Sequence, residues 1–268
     1  MTAGHYVESM NTTNRPLALV TGASSGIGTE LALELARKGH DLLLTGRDAG
    51  RLTEAAARVR AAGAAVETLV ADLGTPAALE ALVQAVGPRP LAVLVNNAGF
   101  GLSDPLTALD PAGLASMVGL NVTTLTLLTR AFLPGMVERR AGRILNVAST
   151  ASFQPCPGMA VYGATKAYVL SFSEAVAEEV SGTGVTVTAL CPGATVTRFA
   201  DRADMHQTSL FKNAMAADKV ARIGVRALLA GRRVVVAGFV NSAMAFSTRF
   251  SPRGLTTKLA AALMKKAR

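Results

Sequence analysis

Hydrophobic residues along this chain fall into two alternating patterns. Short, nearly continuous apolar runs occupy 17–21, 41–46, 65–70, 91–96, 142–149, 185–190 and 233–237. Between them lie longer stretches, among them 26–38, 51–62, 76–86, 110–139 and 158–181, in which apolar and polar residues share the turns of a helix. Runs of the first kind are strands buried on both faces, and stretches of the second kind are the helices that cover them. The alternation predicts an α/β fold, a doubly wound sheet of about seven parallel strands with helices on both faces. No repeat and no low-complexity linker divides the 268 residues. The reading is therefore a loose, polar tail at 1–15 and a single domain over 16–268, with a basic extension at 239–268.

In such a sheet, ligands bind beyond the carboxyl ends of the strands, near the switch in strand order. Informative motifs should then follow strand ends, and they do. After the first strand stands TGASSGIG, in which Gly22, Gly26 and Gly28 remove Cβ atoms where a backbone approaches a pyrophosphate. The helix that follows offers free N–H groups and the positive end of its dipole. The spacing is G-x-x-x-G-x-G, not the G-x-G-x-x-G of many dinucleotide folds, and its position between strand and helix gives it weight. The second strand ends in Gly46 followed by Arg47, where an acidic residue would bind an adenosine ribose and a basic one a 2′-phosphate. That favours NADP(H) over NAD(H). Asp48, just beyond, is the competing ribose ligand if it turns inward.

Composition narrows the remaining classes. Half the residues are hydrophobic, which excludes disorder over most of the length. The apolar runs stop short of the ~18 residues of a membrane span, and no signal-peptide pattern opens the chain. Cys156 and Cys191 have no motif spacing, and His5, His40 and His206 are isolated. A disulfide framework and a metal site are disfavoured, and a reducing cytoplasm is the expected location. The net charge of +9 is uneven: eleven Lys and Arg and no acidic residue stand between Lys219 and Arg268. With no tryptophan and no pattern of stacking aromatics, a nucleic-acid partner is not expected.

One pair of residues carries chemistry. Tyr162 is one of only three tyrosines, and Lys166 follows it by four in a helical stretch, so the two share a face about one turn apart. With the pair in view, the motif order becomes specific: TGASSGIG at 21–28, ADL at 71–73, NNAG at 96–99, LNV at 120–122, NVAS at 146–149, YGATK at 162–166 and CPGATVT at 191–197. Over roughly residues 17–238 the chain resembles the short-chain dehydrogenase/reductase family in its single-domain branch, whose fold is of the Rossmann type.

The resemblance implies that Tyr162 is the catalytic acid/base, Lys166 its electrostatic partner, Ser149 a hydroxyl that orients the substrate, and Asn121 part of a proton relay. It implies cofactor contacts at Gly22, Ser24, Ser25, Gly26, Ile27, Gly28 and Arg47. Asp72 and Leu73 are expected near the adenine, and Asn97, Ala98 and Gly99 near the adenosine ribose, with the adjoining Asn96 as either a ribose neighbour or a tie between strands. Pro192, Gly193, Thr195 and Thr197 are expected along the nicotinamide and pyrophosphate. The chemistry suits the residue types. Hydride delivered to a carbonyl leaves an alkoxide that needs a proton, and a free tyrosine near pKa 10 is a poor base until an ammonium lowers it by roughly 1–3 units. Asn121 inside a helix marks a local break.

Substrate identity lies in the variable parts. Phe100, Phe153, Met159, Phe199, Met205 and Phe211 are expected to line an apolar pocket for a carbonyl or secondary alcohol, with 198–217 as a lid. Leu255, Leu259 and Leu263 stand four apart in the C-terminal extension among Lys258, Lys265 and Lys266. This pattern reads as a final amphipathic helix, resting on a partner subunit by preference or on an anionic membrane surface as the alternative. A dimer or tetramer is what the resemblance implies.

Overall fold

The computed structural model describes residues 15–197 and 214–264. The first elements alternate in the expected way: β1 (Leu17–Thr21), α1 (Gly26–Arg37), β2 (Asp41–Gly46), α2 (Ala49–Ala61), β3 (Val66–Val70), α3 (Pro76–Val86) and β4 (Leu91–Asn96). They continue through α4 (Pro111–Val118), α5 (Leu125–Glu138), β5 (Gly142–Val147), α6 (Ala160–Glu179) and β6 (Val185–Cys191). The chain then forms the short strands β7 (Thr195–Val196) and β8 (Met215–Ala216), helix α7 (Ala217–Leu229), β9 (Val234–Val236), α8 (Phe239–Ser247) and α9 (Arg253–Met264).

Seven strands form one parallel sheet in the order β3-β2-β1-β4-β5-β6-β9. The chain winds outward from β1 to β3, then crosses back to β4 and winds the other way. The switch lies between β1 and β4, where loops part and leave a crevice at the carboxyl ends. Both faces are covered, as near-continuous apolar strands require. One core joins Leu31, Leu35, Leu52, Val220 and Leu228 of α1, α2 and α7 to the sheet. The other joins Leu82, Leu128, Met136 and Val176 of α3, α5 and α6.

Local signals explain the helix starts. Asp48, Thr75 and Asp110 each precede a helix and accept a backbone N–H from Arg51, Ala78 and Gly113, a cap worth about 1 kcal/mol each. The stretch 110–139 breaks where Asn121 led one to expect it, because Gly119–Thr124 forms a π turn between α4 and α5, with Asn121 inside it. One boundary differs from the expectation. Strand β5 ends at Val147, two residues early, since Ser149 takes extended backbone and then opens a 3-10 turn over Thr150–Phe153.

A buried polar chain locks the centre. Asn96 donates from Nδ2 to Thr129 Oγ1 at 3.1 Å and to Asn146 Oδ1 at 2.9 Å. Asn146 donates in turn to Ser173 Oγ at 2.9 Å, and Ser173 to the Val169 carbonyl at 2.6 Å. Strands β4 and β5 are thereby tied to α5 and to α6, the helix that bears Tyr162. Of the two readings of Asn96, the structure places it as the tie between strands. Replacing Asn146 with Ala should leave buried partners unpaired and cost roughly 1–3 kcal/mol. The check is a urea titration, with a lower midpoint and an unchanged slope expected.

Candidate active site

The crevice at the strand switch is one continuous cavity, and its walls are the loops that follow β1, β2, β3, β4, β5 and β6. The loop after β1 is tight because glycine makes it so. Gly22 has φ +65°, and a Cβ on Gly28 would stand 2.2 Å from the Gly22 carbonyl oxygen. Thr21 stitches this loop to the one after β4. Its hydroxyl donates to the Val95 carbonyl and accepts the N–H groups of Asn97 and Ala98. Asn97 Nδ2 returns bonds to the carbonyls of Thr21, at 2.9 Å, and Gly22, at 3.1 Å.

At the end of β2, side-chain assignments become definite. Asp48 caps α2 through the Arg51 N–H at 3.0 Å and pairs with the Arg51 guanidinium. Its carboxylate is engaged at the helix start while it also lines the cavity, which weighs against the alternative in which Asp48 serves a ribose. Arg47 lies 3.8 Å from the Asp72 carboxylate, both side chains about half exposed. A pair that open to water is weak and easily exchanged for another anion. A Cβ on Gly46 would come within 2.9 Å of Ser24 Oγ, so a larger residue at this strand end would push Ser24 aside. Arg51 also lines the cavity. It was missed in the sequence, although its place one turn into a helix capped by Asp48 was a usable signal.

The second half of the crevice holds Ser149, Tyr162 and Lys166. Ser149 closes the β5 end, and its oxygen is fixed by the Ala151 N–H at 3.1 Å. Its hydroxyl hydrogen-bonds the Tyr162 phenol, an interaction that favours the phenolate. Lys166 lies one turn along α6 and donates from Nζ to the Val147 carbonyl at 2.8 Å. Its nitrogen is 5.8 Å from the centre of the Tyr162 ring. Tyr162 is 9% exposed and Lys166 is 6% exposed.

Burial dominates both titrations. It pushes the Tyr162 phenol up to about 12 against the Ser149 hydrogen bond, and pulls the Lys166 ammonium down to about 8. The expected lowering of the tyrosine by lysine is therefore reversed. The ammonium bonds a carbonyl rather than the phenol oxygen, and desolvation outweighs what remains. Over the neutral range Tyr162 holds its proton and Lys166 its charge, so the phenol stands ready to give a proton rather than take one.

Asn121 is buried in the π turn. Its side chain accepts the Phe100 N–H at 3.1 Å and donates to the Phe100 carbonyl at 2.9 Å and to Thr165 Oγ1 at 3.1 Å. It thus fixes the loop after β4 against α6. Gly22, Ser24, Ser25, Gly26, Ile27, Arg47, Asp72, Leu73, Asn97, Ala98, Gly99, Pro192, Gly193, Thr195 and Thr197 all line the cavity together with Ser149, Tyr162 and Lys166. Gly28 sits behind the loop as its spacer.

Of the expected substrate residues, Phe100 and Met159 line the cavity. Phe153 does not; at the end of the 3-10 turn it packs, partly buried, against the core cluster that contains Leu125, Ala148 and Val169. Gln154 and Cys156 take the wall beside it, and burial raises the Cys156 thiol to about 11, so it is a neutral, weakly polar surface. Phe199, Met205 and Phe211, with most of the expected lid, lie outside the described residues. Ala260 of α9 also reaches the cavity wall, which nothing in the extension's sequence had indicated.

Comparison with known proteins agrees with this geometry. The family model described as short chain dehydrogenase matches residues 16–208. An NADP-dependent 3-hydroxy acid dehydrogenase of Salmonella typhi is 40% identical over 185 residues, covering 66% of this chain and 71% of that protein. A short-chain dehydrogenase from Sphingobium yanoikuyae, solved with NADPH, superposes with TM-score 0.81 at 36% identity over 90% of this chain and 94% of that one. A short chain dehydrogenase/reductase from Burkholderia phymatum, solved with NAD, gives TM-score 0.78 at 27% identity over 87% of this chain and 92% of that one.

Burial of the Lys166 ammonium has a consequence for stability. The unfolded lysine binds its proton up to the ordinary lysine pKa of 10.5, whereas the folded one releases it at about 8. The folded state therefore carries fewer protons across this window, and its stability rises with pH there. Buried thiols and the phenol, all raised, act in the opposite sense at the alkaline end. The difference between wild type and Lys166→Met isolates the lysine. From pH 8 to 10, denaturation should show wild type gaining stability relative to the variant; a constant difference would refute the buried ammonium.

Proposed function

Because the chain belongs to the short-chain dehydrogenase family, we propose that it is an oxidoreductase moving a hydride between NADP(H) and the carbonyl or secondary-alcohol carbon of a hydrophobic small molecule. The observation that carries this reading is the shared cavity. The glycine loop with two guanidinium groups lies at one end, and Ser149, Tyr162 and Lys166 lie at the other.

The residues present fit a nicotinamide dinucleotide. Gly22 and Gly28 form a cradle that a Cβ would fill, and α1 presents its N-terminus with no acidic residue in the first turn, as an anion requires. Arg47 and Arg51 suit a 2′-phosphate, while the Asp48 carboxylate at the β2 end is engaged by Arg51. The relatives solved or named with either NADP or NAD make this strand end, not the fold, the discriminating feature. When bound, the dinucleotide supplies or accepts the hydride.

The protein's own residues then manage the proton and the charge. Tyr162, neutral at physiological pH, gives its proton to the alkoxide oxygen in the reductive direction. Ser149 donates to the same developing oxyanion, a dipole already oriented by the Ala151 N–H. Lys166 offsets the phenolate left behind; a proton passed from its ammonium to the phenolate would be replaced by one from water, and the π turn at Asn121, beside α6, is where such a water would lie. Phe100 and Met159 give the substrate end an apolar wall, which suits an aliphatic or aromatic ketone better than a sugar.

The stretch 111–138 is long and apolar enough to cross a membrane by length and composition, yet Met117, Leu128 and Met136 on it are core residues. Its outer side, with Val118 and Leu127 exposed, and Tyr168 on α6 suit a second copy of this chain. A homo-oligomer built on α4 to α6 is the reading, with one catalytic domain over 16–268 and a cytoplasmic location.

Calorimetry should find NADPH binding at least about tenfold tighter than NADH, with the preference lost in Arg47→Ala combined with Arg51→Ala. Equal affinities in wild type would overturn the 2′-phosphate assignment. Tyr162→Phe should keep NADPH affinity and lower reduction of a hydrophobic ketone by about 10²–10⁴; an unchanged rate would remove the tyrosine from the proton step.

A further inference from the structure

The chain after β9 is unlike the rest of the surface. Gly238, at φ +96°, turns the chain off the sheet into α8. Helix α8 packs on β9 and the turn at 150–153, with Ala245 buried. Its other side and the segment beyond are apolar and open. Phe239 is 88% exposed and Phe250 is 76%, and Val240, Phe246, Leu255 and Leu259 are all more than half exposed. Phe246 and Phe250 lie edge to face at 5.2 Å, forming one aromatic knob. Arg249, Arg253 and Lys258 are exposed among them, and from Phe239 to Arg268 the sequence has six basic residues and no acidic one.

A patch of this size on a lone molecule marks a contact surface. Its charge selects the partner. Pairing the patch with itself across a two-fold axis would set two wholly cationic segments face to face. Large aromatic and aliphatic side chains ringed by Arg and Lys match instead the boundary of an anionic bilayer. There the apolar groups enter the acyl region, and the long cationic stems reach back to the headgroups. We infer that α8 and α9 dock this protein on the surface of an anionic lipid bilayer. The docking face is continuous with the cavity through Ala260 of α9, so the cavity edge lies beside the lipid. This reverses the preference for a partner subunit that the sequence alone suggested for this segment.

The test is co-sedimentation of the full chain with vesicles of phosphatidylcholine alone and with about 30% phosphatidylglycerol, at near-physiological ionic strength. Binding is expected to the anionic vesicles only, with partial release at about 1 M salt. The double variant Phe246→Asp, Phe250→Asp should lower the bound fraction roughly tenfold or more, with a circular dichroism melt like that of wild type. Either of two outcomes would overturn the inference: wild type failing to bind anionic vesicles, or the double variant binding them as wild type does. A smaller oligomer for the double variant in light scattering, with no vesicle binding by wild type, would identify the face as a protein contact instead.

Discussion

An ammonium group has to be kept at the carboxyl edge of an apolar sheet, and much of the surrounding structure answers that demand. Lys166 is the one buried lysine among the described residues. It is held by the Val147 carbonyl, the last of β5. For that bond to persist, α6 must not slide on the sheet, and two sets of hydrogen bonds prevent it. Asn146 and Ser173 fix the helix from beneath, and Asn121 with Thr165 fixes it beside the loop after β4. Desolvation lowers the lysine and raises the tyrosine, so it favours the neutral form of both. A negative charge developing beside them strengthens the hold on the lysine's proton, and an oxygen as basic as an alkoxide can take the phenol's.

The same geometry divides the crevice into two tasks. Toward β2 and β3 the walls are backbone, glycine and guanidinium, which suit phosphate. Toward β5 and α6 they are hydroxyl, phenol and apolar side chains, which suit a carbonyl compound. The dividing line is the strand switch, where Thr21 and Asn97 stitch the loops after β1 and β4. A mutation in this stitch acts on both halves, because it loosens the two loops against each other.

The strands and the order of the motifs were legible in the sequence because continuous apolar runs and strand-end glycines are local signals. Tyr162 and Lys166 were legible because helical spacing fixes their common face. Other features depend on contacts that local spacing does not encode. Asp48 is a helix cap because its backbone and Arg51 are positioned together, so one loop arrangement engages its carboxylate and brings a second arginine to the cavity. Phe153 looked like a pocket residue from its place beside Ser149, but the 3-10 turn carries its ring into the packing of Val169 and Ala148. The tyrosine's proton affinity followed burial, a three-dimensional property, rather than its distance along the helix from a lysine. The β7–β8 pair, two residues in each strand, is too short to leave a periodic trace.

The central claim is that this cavity passes a hydride to a carbonyl carbon while Tyr162 supplies the proton. The most direct measurement is to incubate the protein with a hydrophobic ketone and NADPH carrying deuterium at the transferable position of the nicotinamide, and to follow the label by mass spectrometry. The account predicts that the alcohol formed carries deuterium on its carbinol carbon in the wild type, with almost no alcohol formed by Tyr162→Phe. Alcohol whose carbon lacks the label, or no turnover of any hydrophobic ketone with either dinucleotide, would contradict it.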